Sequence, residues 1–436
     1  MENERTVTYA DACRYIDGIV RFADKHPAEH TKKLLKALGN PERAFPIVHV
    51  AGTNGKGSVC ACLEAVCRAA GMRTALFTSP HLVRINERFR IGGEEIPDET
   101  FLKAFLKVRR VCREMEKEGI SHPSYFEFLF LMGMVCFAEE AVQICILETG
   151  LGGRLDATNT VEHPLISVIT SVSLDHMQYL GGTIAEIAGE KAGIIKKDVP
   201  CVYCAENEEV TAVIAEACRS RGAAGVPVGT DAYEIRAKGR DGIDFSTAFR
   251  YDGNTFWHIG NIAPYQVQNA AVAIRTLCVL HEKERLFADL TAADVQKGIA
   301  GFFWPGRMEE IRPSVYLDGA HNEDGIRKFA DAIRDAAGEE PVGLLFAVVS
   351  DKNYEGMISY LARSVKLRYV VLTEIAGERK TDARRLAELF GAYTDNVFIC
   401  KNSAEALKLA EQKREEGLLF ICGSLYLVGE IKEMQK

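Results

Sequence analysis

The chain has 436 residues, of which 47% are hydrophobic and 26% charged, a composition typical of a soluble globular protein with more than one core. Its formal net charge of −8 argues against a general affinity for nucleic acid or other polyanions. Thirteen scattered cysteines fit a reducing compartment. The sequence begins without a signal-peptide pattern, and its longest apolar run, residues 128–138, is too short to span a bilayer, so we expect a cytoplasmic protein.

The first strong pattern is a strand, a glycine-rich turn and a helix. Residues 7–40 predict two amphipathic helices, and the β-branched run from Ile47 predicts a buried strand that leads into residues 52–58, GTNGKGS. The helix that follows has apolar residues at 59, 62, 63, 66 and 70. Such a turn binds phosphate through backbone N–H groups and the helix dipole, with Lys56 adding charge and Ser58 a hydroxyl for Mg²⁺. The pattern departs from the standard P-loop at Val50 and Gly57, but a nucleotide site is favoured over a glycine-rich turn with a solvated lysine.

Three predicted strands end in polar groups. The phosphate turn follows the first, Glu148 ends the strand from Ile144, and Asp175 and His176 follow the strand from Ile166. Because parallel strands share one carboxyl edge, we expect these groups to converge, with Glu148 placed to hold Mg²⁺. Between them, a strand at 74–78 leads into Ser79-Pro80-His81, and Arg84 lies either in an exposed charged hairpin or in a ligand site. Helices are predicted over 99–119 and from Tyr125.

The second half of the sequence predicts further α/β units. A helix is predicted over 184–197. It contains Lys191, and the local sequence pattern alone predicts that the side chain of this lysine is solvated. Residues 201–228 predict strand–helix–strand, with Cys201 and Cys204 as buried thiols rather than a metal or redox site. A β-rich insertion is expected near 229–262, followed by helices over 269–280 and 291–300. We place a domain boundary at residues 301/302, because strands at 315–317, 342–349, 369–373, 397–400 and 418–422 then alternate with helices.

Ten short motifs follow one another along the chain: VAGTNGKGS (50–58), TSPHL (78–82), YFEF (125–128), ETGLGGRLDATN (148–159), LDH (174–176), GEKAGIIK (189–196), QNA (268–270), PGR (305–307), DGAHN (318–322) and CGSLY (422–426). In this order, they resemble the motifs of the folylpolyglutamate synthase/dihydrofolate synthase family of the Mur ligase superfamily over nearly the whole chain. The resemblance implies a P-loop-type doubly wound α/β domain, like the Mur ligase central domain, followed by a smaller Rossmann-like α/β domain.

The resemblance also assigns site residues. It implies ATP on Thr53, Asn54, Gly55, Lys56, Gly57 and Ser58, with Asn269, Arg307 and Asp318. Two Mg²⁺ ions would be held by Ser58, Ser79, Glu148, His176 and a carbamylated Lys191. The substrates would contact Ser79, His81, Arg84, Ser124, Tyr125, Phe126, Glu127, Leu155, Asp156 and Ala157, with His321 and Ser424 for the incoming glutamate. Catalytic roles would fall to Lys56, Lys191, His176, Asp318 and His321. Position 124 is Ser where the family often has Thr.

The activity implied by the resemblance is ATP-dependent ligation of L-glutamate to a folate through an acyl phosphate, giving ADP and phosphate. The acceptor would be dihydropteroate, a reduced folate or both, and the sequence does not distinguish them. We expect a monomer without nucleic-acid or membrane partners. Two alternatives remain: a Mur ligase acting on a cell-wall precursor, and a non-catalytic nucleotide-binding protein. The first alternative would need a separate UDP-binding domain before the phosphate turn. Against the second alternative, the sequence has no N-K-x-D guanine motif.

Overall fold

The computed structural model describes residues 7–20 and 26–435. The helices of these residues are α1 (Tyr9–Asp17), α2 (Ala28–Ala37), α3 (Lys56–Ala69), α4 (Asp98–Lys117), α5 (Tyr125–Glu139), α6 (Met177–Leu180), α7 (Ile184–Ala192), α8 (Glu208–Ser220), α9 (Pro264–Lys283), α10 (Ala292–Gly301), α11 (Glu323–Ala337), α12 (Tyr354–Ser364), α13 (Ala383–Gly391), α14 (Ser403–Arg414) and α15 (Leu425–Glu433).

The strands of the same residues are β1 (Ile47–Ala51), β2 (Thr74–Phe77), β3 (Phe89–Ile91), β4 (Glu94–Glu95), β5 (Ile144–Glu148), β6 (Ile166–Ile169), β7 (Cys201–Cys204), β8 (Gly225–Val228), β9 (Tyr233–Gly239), β10 (Gly242–Tyr251), β11 (Asn254–Ile259), β12 (Glu309–Arg312), β13 (Val315–Leu317), β14 (Val342–Phe346), β15 (Leu367–Leu372), β16 (Val397–Ile399) and β17 (Leu419–Cys422).

The largest sheet has the strand order β4-β3-β2-β5-β1-β6-β7-β8. Strands β2 and β5 to β8 run parallel with β1, whereas β3 and β4 add an antiparallel edge. The five residues of β1 are all buried, and Val50 lies opposite both Glu148 and Val168 in the neighbouring strands. The phosphate turn, Glu148 and the loop after β6 therefore share one carboxyl edge, which confirms the predicted convergence of these strand ends.

Helices cover both faces of a parallel sheet because its strands are apolar on both sides. One core joins β2 and β5 to α1, α2, α4 and α5, and almost every side chain of α5 is buried in it. A second core packs α7 and α8 against β6 and β7. The apolar run at 128–138 is thus part of a core helix. In the described part of the chain, we find no helix with both the length and the apolar character needed to cross a membrane.

The predicted helix at 184–197 is wrong beyond Ala192, where α7 ends. A Cβ added to Gly193 would lie 2.4–2.8 Å from atoms of Arg154, so another segment of chain packs closely against the end of this helix. The predicted burial of Cys201 and Cys204 is confirmed, since both lie buried in β7. All thirteen cysteines lie in the described residues, and none of them forms a disulfide.

The remaining strands form two further sheets. Strands β9 to β11 make a sheet of order β11-β10-β9, and β12 to β17 make one of order β12-β13-β17-β14-β15-β16. In the second of these, β13 to β17 are parallel and match the predicted strands, whereas the antiparallel edge strand β12 was not predicted. Its core joins the sheet to α11, α12 and α13.

The chain divides into two compact units. The first contains the described residues up to Glu234, with Thr247–Trp257 and Asn269–Phe302, and the second contains Ile235–Ser246, His258–Gln268 and the residues from Phe303. Two short segments before residue 301 therefore belong to the second unit. The domain division at residues 301/302 stays a prediction.

Candidate active site

The turn between β1 and α3 is shaped by glycine and by a distant asparagine. Gly55 has φ +83°, in the left-handed region, and immediately precedes α3, so the backbone N–H groups of the helix start point out of the turn. A Cβ added to Gly55 would lie only 2.3 Å from Oδ1 of Asn269, in the helix α9. The side chain of Asn269 therefore lies directly against the turn, where the sequence placed a nucleotide contact.

The turn is fastened to the loop that follows β6. The backbone N–H of Thr53 donates to the carbonyl oxygen of Ser171 at 2.8 Å, and its hydroxyl accepts from the N–H of Ser173 at 3.1 Å. The hydroxyl of Thr170 donates to the carbonyl oxygen of Asn54 at 2.7 Å. Thr53 and Asn54 thus hold the shape of the turn, and their side chains are engaged with the protein itself.

Two lysine ammonium groups meet at the turn. Nζ of Lys56 donates to the carbonyl oxygens of Gly52 and Thr53 at 3.1 and 3.0 Å. Nζ of Lys191 donates to the same Gly52 oxygen at 2.8 Å, and Lys191 is only 2% exposed. The pattern-based prediction of a solvated Lys191 is therefore wrong, because α7 packs its side chain inward beneath the turn. Two positive charges beside a helix N-terminus make this a strong site for a polyanion.

The oxygens beside the turn fit Mg²⁺. The hydroxyl of Ser58 is buried and has no hydrogen-bond partner in the described part of the chain. Glu148 is also buried, and its Oε2 accepts from the backbone N–H of Ser79 at 3.0 Å. Hydroxyl and carboxylate oxygens are the ligands that Mg²⁺ prefers, and an unpartnered buried hydroxyl needs a partner. His176 lies on the exposed loop at the start of α6, with φ +52°.

The loop after β2 is braced by residues that the sequence did not single out. Nε of Arg88 donates to Nδ1 of His81 at 2.8 Å, while its guanidinium lies over the ring of Tyr125 at 5.6 Å from the centroid. The carboxylate of Glu87 accepts from the backbone N–H groups of residues 82–84 at 2.7–2.9 Å. This network joins the predicted substrate residues His81 and Tyr125.

Arg84 belongs to a different environment. Its guanidinium pairs with Asp98 at 2.5 Å and lies over the ring of Tyr9 at 5.8 Å from the centroid. These contacts favour the structural interpretation of Arg84 over its predicted role in substrate binding.

The loop 149–157, which contains the second predicted substrate segment, residues 155–157, packs against the start of α5. A Cβ added to Gly150 would lie 2.6–2.8 Å from ring carbons of Phe126, so the half-buried ring rests on the backbone of this loop. Leu155 is 51% exposed, whereas Ala157 is buried. Ser124 caps α5, and Glu127 accepts from its N–H at 2.7 Å. The structure thus brings the two predicted substrate segments together.

The carboxylate of Asp156 shapes this loop. It accepts from the N–H groups of Gly150 and Leu151 at 3.0 and 2.8 Å and from the hydroxyl of Thr158 at 2.6 Å. Nε2 of the fully buried His49 lies 2.8 Å from that hydroxyl, and burial lowers the pKa of His49 to about 3. The contacts of Asp156 therefore hold the backbone of this loop in position. His49 belongs to the same hydrogen-bond network, and the sequence motifs did not indicate its involvement.

The second unit has its own polar cluster. Asp318 is buried and accepts from the hydroxyl of Tyr265 at 2.5 Å and from the N–H groups of Met308 and Ala320 at 2.9 and 2.8 Å. Burial raises the pKa of this carboxyl group. A Cβ added to Gly319 would lie 2.3 Å from Nη1 of Arg307, so the guanidinium lies against the strand end that carries Asp318.

Two further candidates lie at the same edge of this unit. Nδ1 of His321 lies 2.7 Å from the carbonyl oxygen of Gly319. The hydroxyl of Ser424 accepts from the N–H of Tyr426 at 3.1 Å as the N-cap of α15, so its main contact is with the helix that it begins.

Comparison with known proteins identifies the chain. The Mur ligase middle domain matches residues 50–277, and the Mur ligase glutamate ligase domain matches residues 306–425. A Bacillus subtilis (strain 168) protein named dihydrofolate synthase/folylpolyglutamate synthase is 33% identical over 434 residues, which cover 98% of this chain and 99% of the relative. The chain belongs to the folylpolyglutamate synthase/dihydrofolate synthase family of Mur ligases. The family and the two predicted α/β folds are thereby confirmed, and the chain is a ligase.

Solved structures of the family are similar over the same length. The Mycobacterium tuberculosis folylpolyglutamate synthase complexed with ADP and AMPPCP has a TM-score of 0.85 at 27% identity, covering 98% of each chain. A structure described as a folylpolyglutamate synthase–AMPPCP–folate complex has a TM-score of 0.84 at 28% identity and covers 98% of this chain and 99% of its own.

Proposed function

We propose that this protein uses ATP to ligate L-glutamate to a folate, with dihydropteroate, a reduced folate or both as the acceptor. The observation that carries the proposal is a phosphate-binding turn with two lysine ammonium groups in a chain that matches folylpolyglutamate synthases from end to end. One structural relative is described as a complex with AMPPCP and folate. A cell-wall precursor is a weaker candidate because the full-length relatives carry folate names, and a non-catalytic switch is weaker because both Mur ligase models match.

The nucleotide phosphates bind at the start of α3. Backbone N–H groups of residues 55–58 donate to the phosphate oxygens, and Lys56 moves from the carbonyl oxygens of the turn onto the transferring phosphoryl group. Asn269, held against Gly55, limits the position of the nucleotide. Arg307 remains a predicted nucleotide ligand, and the contacts of Asp318 favour a role in holding the backbone around Arg307.

The residues beside the same turn would hold magnesium. Ser58, Glu148 and Ser79 would hold one ion, and His176 with Lys191 would hold a second if Lys191 is carbamylated. Bound Mg²⁺ would neutralise charge on the transferring phosphoryl group. Carbamylation turns an ammonium into an anion that retains one N–H, so the hydrogen bond from Lys191 to the carbonyl oxygen of Gly52 can persist. Without the carbamate, Lys191 contributes only a positive charge near the phosphates.

The reaction has two steps. A carboxylate oxygen of the acceptor attacks the γ-phosphorus of ATP, the bond to ADP breaks, and an acyl phosphate forms. The amino group of L-glutamate then attacks the acyl carbon, loses a proton and expels phosphate. Lys56 and the N–H groups of the turn stabilise the charge of the transferring phosphoryl group. His321 is retained as the candidate contact for glutamate, and Ser424 is a weaker one because it caps a helix.

The folate binds along the start of α5 and the loop 149–157. Phe126 and Leu155 supply apolar surface, while Asp156 and the pair of Glu87 and Arg88 fix the backbone and side chains around them. We further propose that the enzyme is a cytoplasmic monomer divided near residue 301.

The test is phosphate release by the pure protein with MgATP, L-glutamate and each acceptor in turn. We expect release only when glutamate and dihydropteroate or a reduced folate are both present, with a product heavier by one glutamyl residue. Release with a UDP-linked peptide but with neither pteridine acceptor would move the substrate class to cell-wall precursors. ATP binding without glutamate-dependent release under any condition would favour the non-catalytic alternative.

A further inference from the structure

A separate cluster of histidine and glutamate side chains lies where α2 meets α5. His26 comes just before Pro27, the N-cap of α2, His30 lies in the first turn of α2, and Glu127 lies in the first turn of α5. One potential metal-binding atom from each side chain lies within 4.8 Å of the other two. In residues 7–20 and 26–435, these three residues are the only group of three His, Cys, Asp or Glu side chains that meets this condition.

The hydrogen bonds of His30 leave one nitrogen available. Its Nε2 lies 2.8 Å from the carbonyl oxygen of Ser121, an acceptor, so Nε2 carries the proton and Nδ1 carries the lone pair. Nδ1 is buried and has no hydrogen-bond partner among the residues that the structure describes. A buried acceptor without a partner is costly, and a bound cation would satisfy it.

His26 and Glu127 supply the other two groups. Nδ1 of His26 lies 2.8 Å from Oε2 of Glu127, and Glu127 is only 7% exposed. The rings of His26 and His30 stack with their centroids 3.9 Å apart and their planes at 17°, which keeps the two imidazoles together. The hydroxyl of Ser121 lies 3.1 Å from Nε2 of His26, so Ser121 contacts both rings.

We propose that His26, His30 and Glu127 bind a late first-row divalent cation of the Zn²⁺ class. The ion would replace the proton shared by His26 and Glu127 and would accept the lone pair of Nδ1 of His30. Tetrahedral metal–ligand bonds of about 2.0–2.2 Å place neighbouring ligand atoms about 3.3–3.6 Å apart. The 2.8 Å contact between Nδ1 of His26 and Oε2 of Glu127 would therefore open slightly to admit the ion, and His30 would adjust its position within the 4.8 Å cluster by side-chain rotation. The backbone carbonyl of Ser121 fixes the tautomer of His30, as outer hydrogen-bond partners of metal ligands do.

The donor set separates this site from the proposed Mg²⁺ site. Two imidazoles and one carboxylate favour Zn²⁺, Co²⁺ or Ni²⁺, whereas Mg²⁺ prefers oxygen ligands alone. The proposed ion would join the start of α2 to the start of α5. Because it would bind the folded chain, it would raise the unfolding temperature as the metal concentration increases. This site goes beyond the ligase activity and does not depend on it.

The test is metal binding to the full-length protein, stripped of metal and kept in excess Mg²⁺. We expect one equivalent of Zn²⁺ by calorimetry and a Co²⁺ spectrum with visible d–d bands but no thiolate charge-transfer band. His30→Gln and Glu127→Gln should each weaken this binding by about 10- to 100-fold or more, since loss of even an outer partner has an effect of that size. Glutamine can still complete the capping box of α5, so Glu127→Gln should fold.

His163→Gln is the matched control, because it removes an exposed histidine outside the cluster. It should retain the wild-type affinity and the Zn²⁺-dependent rise in unfolding temperature, and His30→Gln should lose both. Equal Zn²⁺ affinity in the wild type, His30→Gln and His163→Gln would overturn the proposal and leave a hydrogen-bonded cluster only. A thiolate band in the wild-type Co²⁺ spectrum would overturn it too, since the bound ion would then lie on cysteine. Neither readout uses ligase activity, so failure here is distinguishable from failure of the proposed function.

Discussion

Gly55→Ala should disrupt the phosphate turn for two separable reasons. The residue has φ +83°, where an L side chain is strained, and its new Cβ would lie 2.3 Å from Oδ1 of Asn269. Gly71 provides a matched control, since it has φ +78° but a Cβ added there would meet nothing within 4 Å. It follows the other end of the 14-residue helix α3, a distance of about 20 Å from the turn.

The expected magnitudes follow from these contacts. Gly71→Ala should cost only the left-handed strain, about 1–2 kcal/mol of unfolding free energy. Gly55→Ala should cost the same amount and, in addition, about 1–3 kcal/mol for displacing the buried polar amide of Asn269. In the double variant Gly55→Ala/Asn269→Ala the clash is absent, so the destabilisation should be smaller than the sum of the two single effects.

Urea unfolding gives the free energies, and calorimetric titration with AMPPCP gives the nucleotide affinity. Gly55→Ala should weaken AMPPCP binding by about tenfold or more, because the N–H groups of the turn move away from the phosphate oxygens. Gly71→Ala should bind AMPPCP like the wild type. Equal destabilisation by the two single variants, with AMPPCP affinity unchanged in both, would refute the account of the turn.

Four other variants, one of them with a control variant, test the remaining assignments. Lys56→Ala should lower turnover by about 100-fold or more with little change in unfolding free energy, because it removes a charge from the transferring phosphoryl group; near-normal turnover would contradict the nucleotide assignment. Phe126→Ala should raise the KM for folate more than the KM for ATP, and the reverse order would move the pteridine pocket elsewhere. Lys191→Ala should be nearly inactive and partly rescued by short carboxylates, and wild-type activity should rise with bicarbonate. Lys196→Ala is the control for Lys191→Ala. Lys196 is a partly buried lysine, and burial lowers its pKa to about 8, but it donates to the carbonyl oxygen of Asn159. If Lys196→Ala abolished the bicarbonate response and Lys191→Ala retained it, a carbamate on Lys191 would be excluded. Burial lowers the pKa of His49 from 6.5 to about 3, so its contribution to stability is complete above pH 6.5 and declines as the pH falls toward 3, because the unfolded chain binds the proton first. Urea unfolding at pH 7 and pH 4.5 should therefore show a smaller difference between wild type and His49→Gln at the lower pH, and a constant difference would contradict this.

The strand ends were predictable because two local rules combine. Short β-branched runs predict β1, β5 and β6, and parallel strands place their carboxyl ends on one edge, so Glu148 and the turn meet without any knowledge of side-chain packing. The edge strand β12 was missed because its sequence, Glu-Glu-Ile-Arg, has no apolar alternation and its pairing with β13 is decided by the rest of the sheet.

The environments of the charged side chains were less predictable. Lys191 occupies a helix whose local pattern allows a solvated lysine, and only the packing of α7 brings its Nζ to the carbonyl oxygen of Gly52, 139 residues earlier. Arg84 and Asp156 occupy predicted substrate segments, yet the first pairs with Asp98 and the second accepts from its own loop. A motif indicates which segments form a site, whereas the contacts made by each carboxylate or guanidinium group depend on the three-dimensional neighbours.

The same reasoning separates two classes of residue within the proposed site. The turn keeps its form through Thr53, which is part of it, and through Thr170 and Asn269, which each lie more than 100 residues further along the chain. Lys56 and Ser58 instead provide the charge and the unpartnered hydroxyl that a nucleotide and its metal ion need. Removing a group of the second kind deletes an interaction with the reacting phosphates, so the effect should fall mainly on turnover. Removing a group of the first kind distorts the backbone that carries the N–H donors, so both nucleotide affinity and unfolding free energy should fall. A motif residue therefore contributes to catalysis either by contact or by support, and the hydrogen-bond partners in the folded chain decide which.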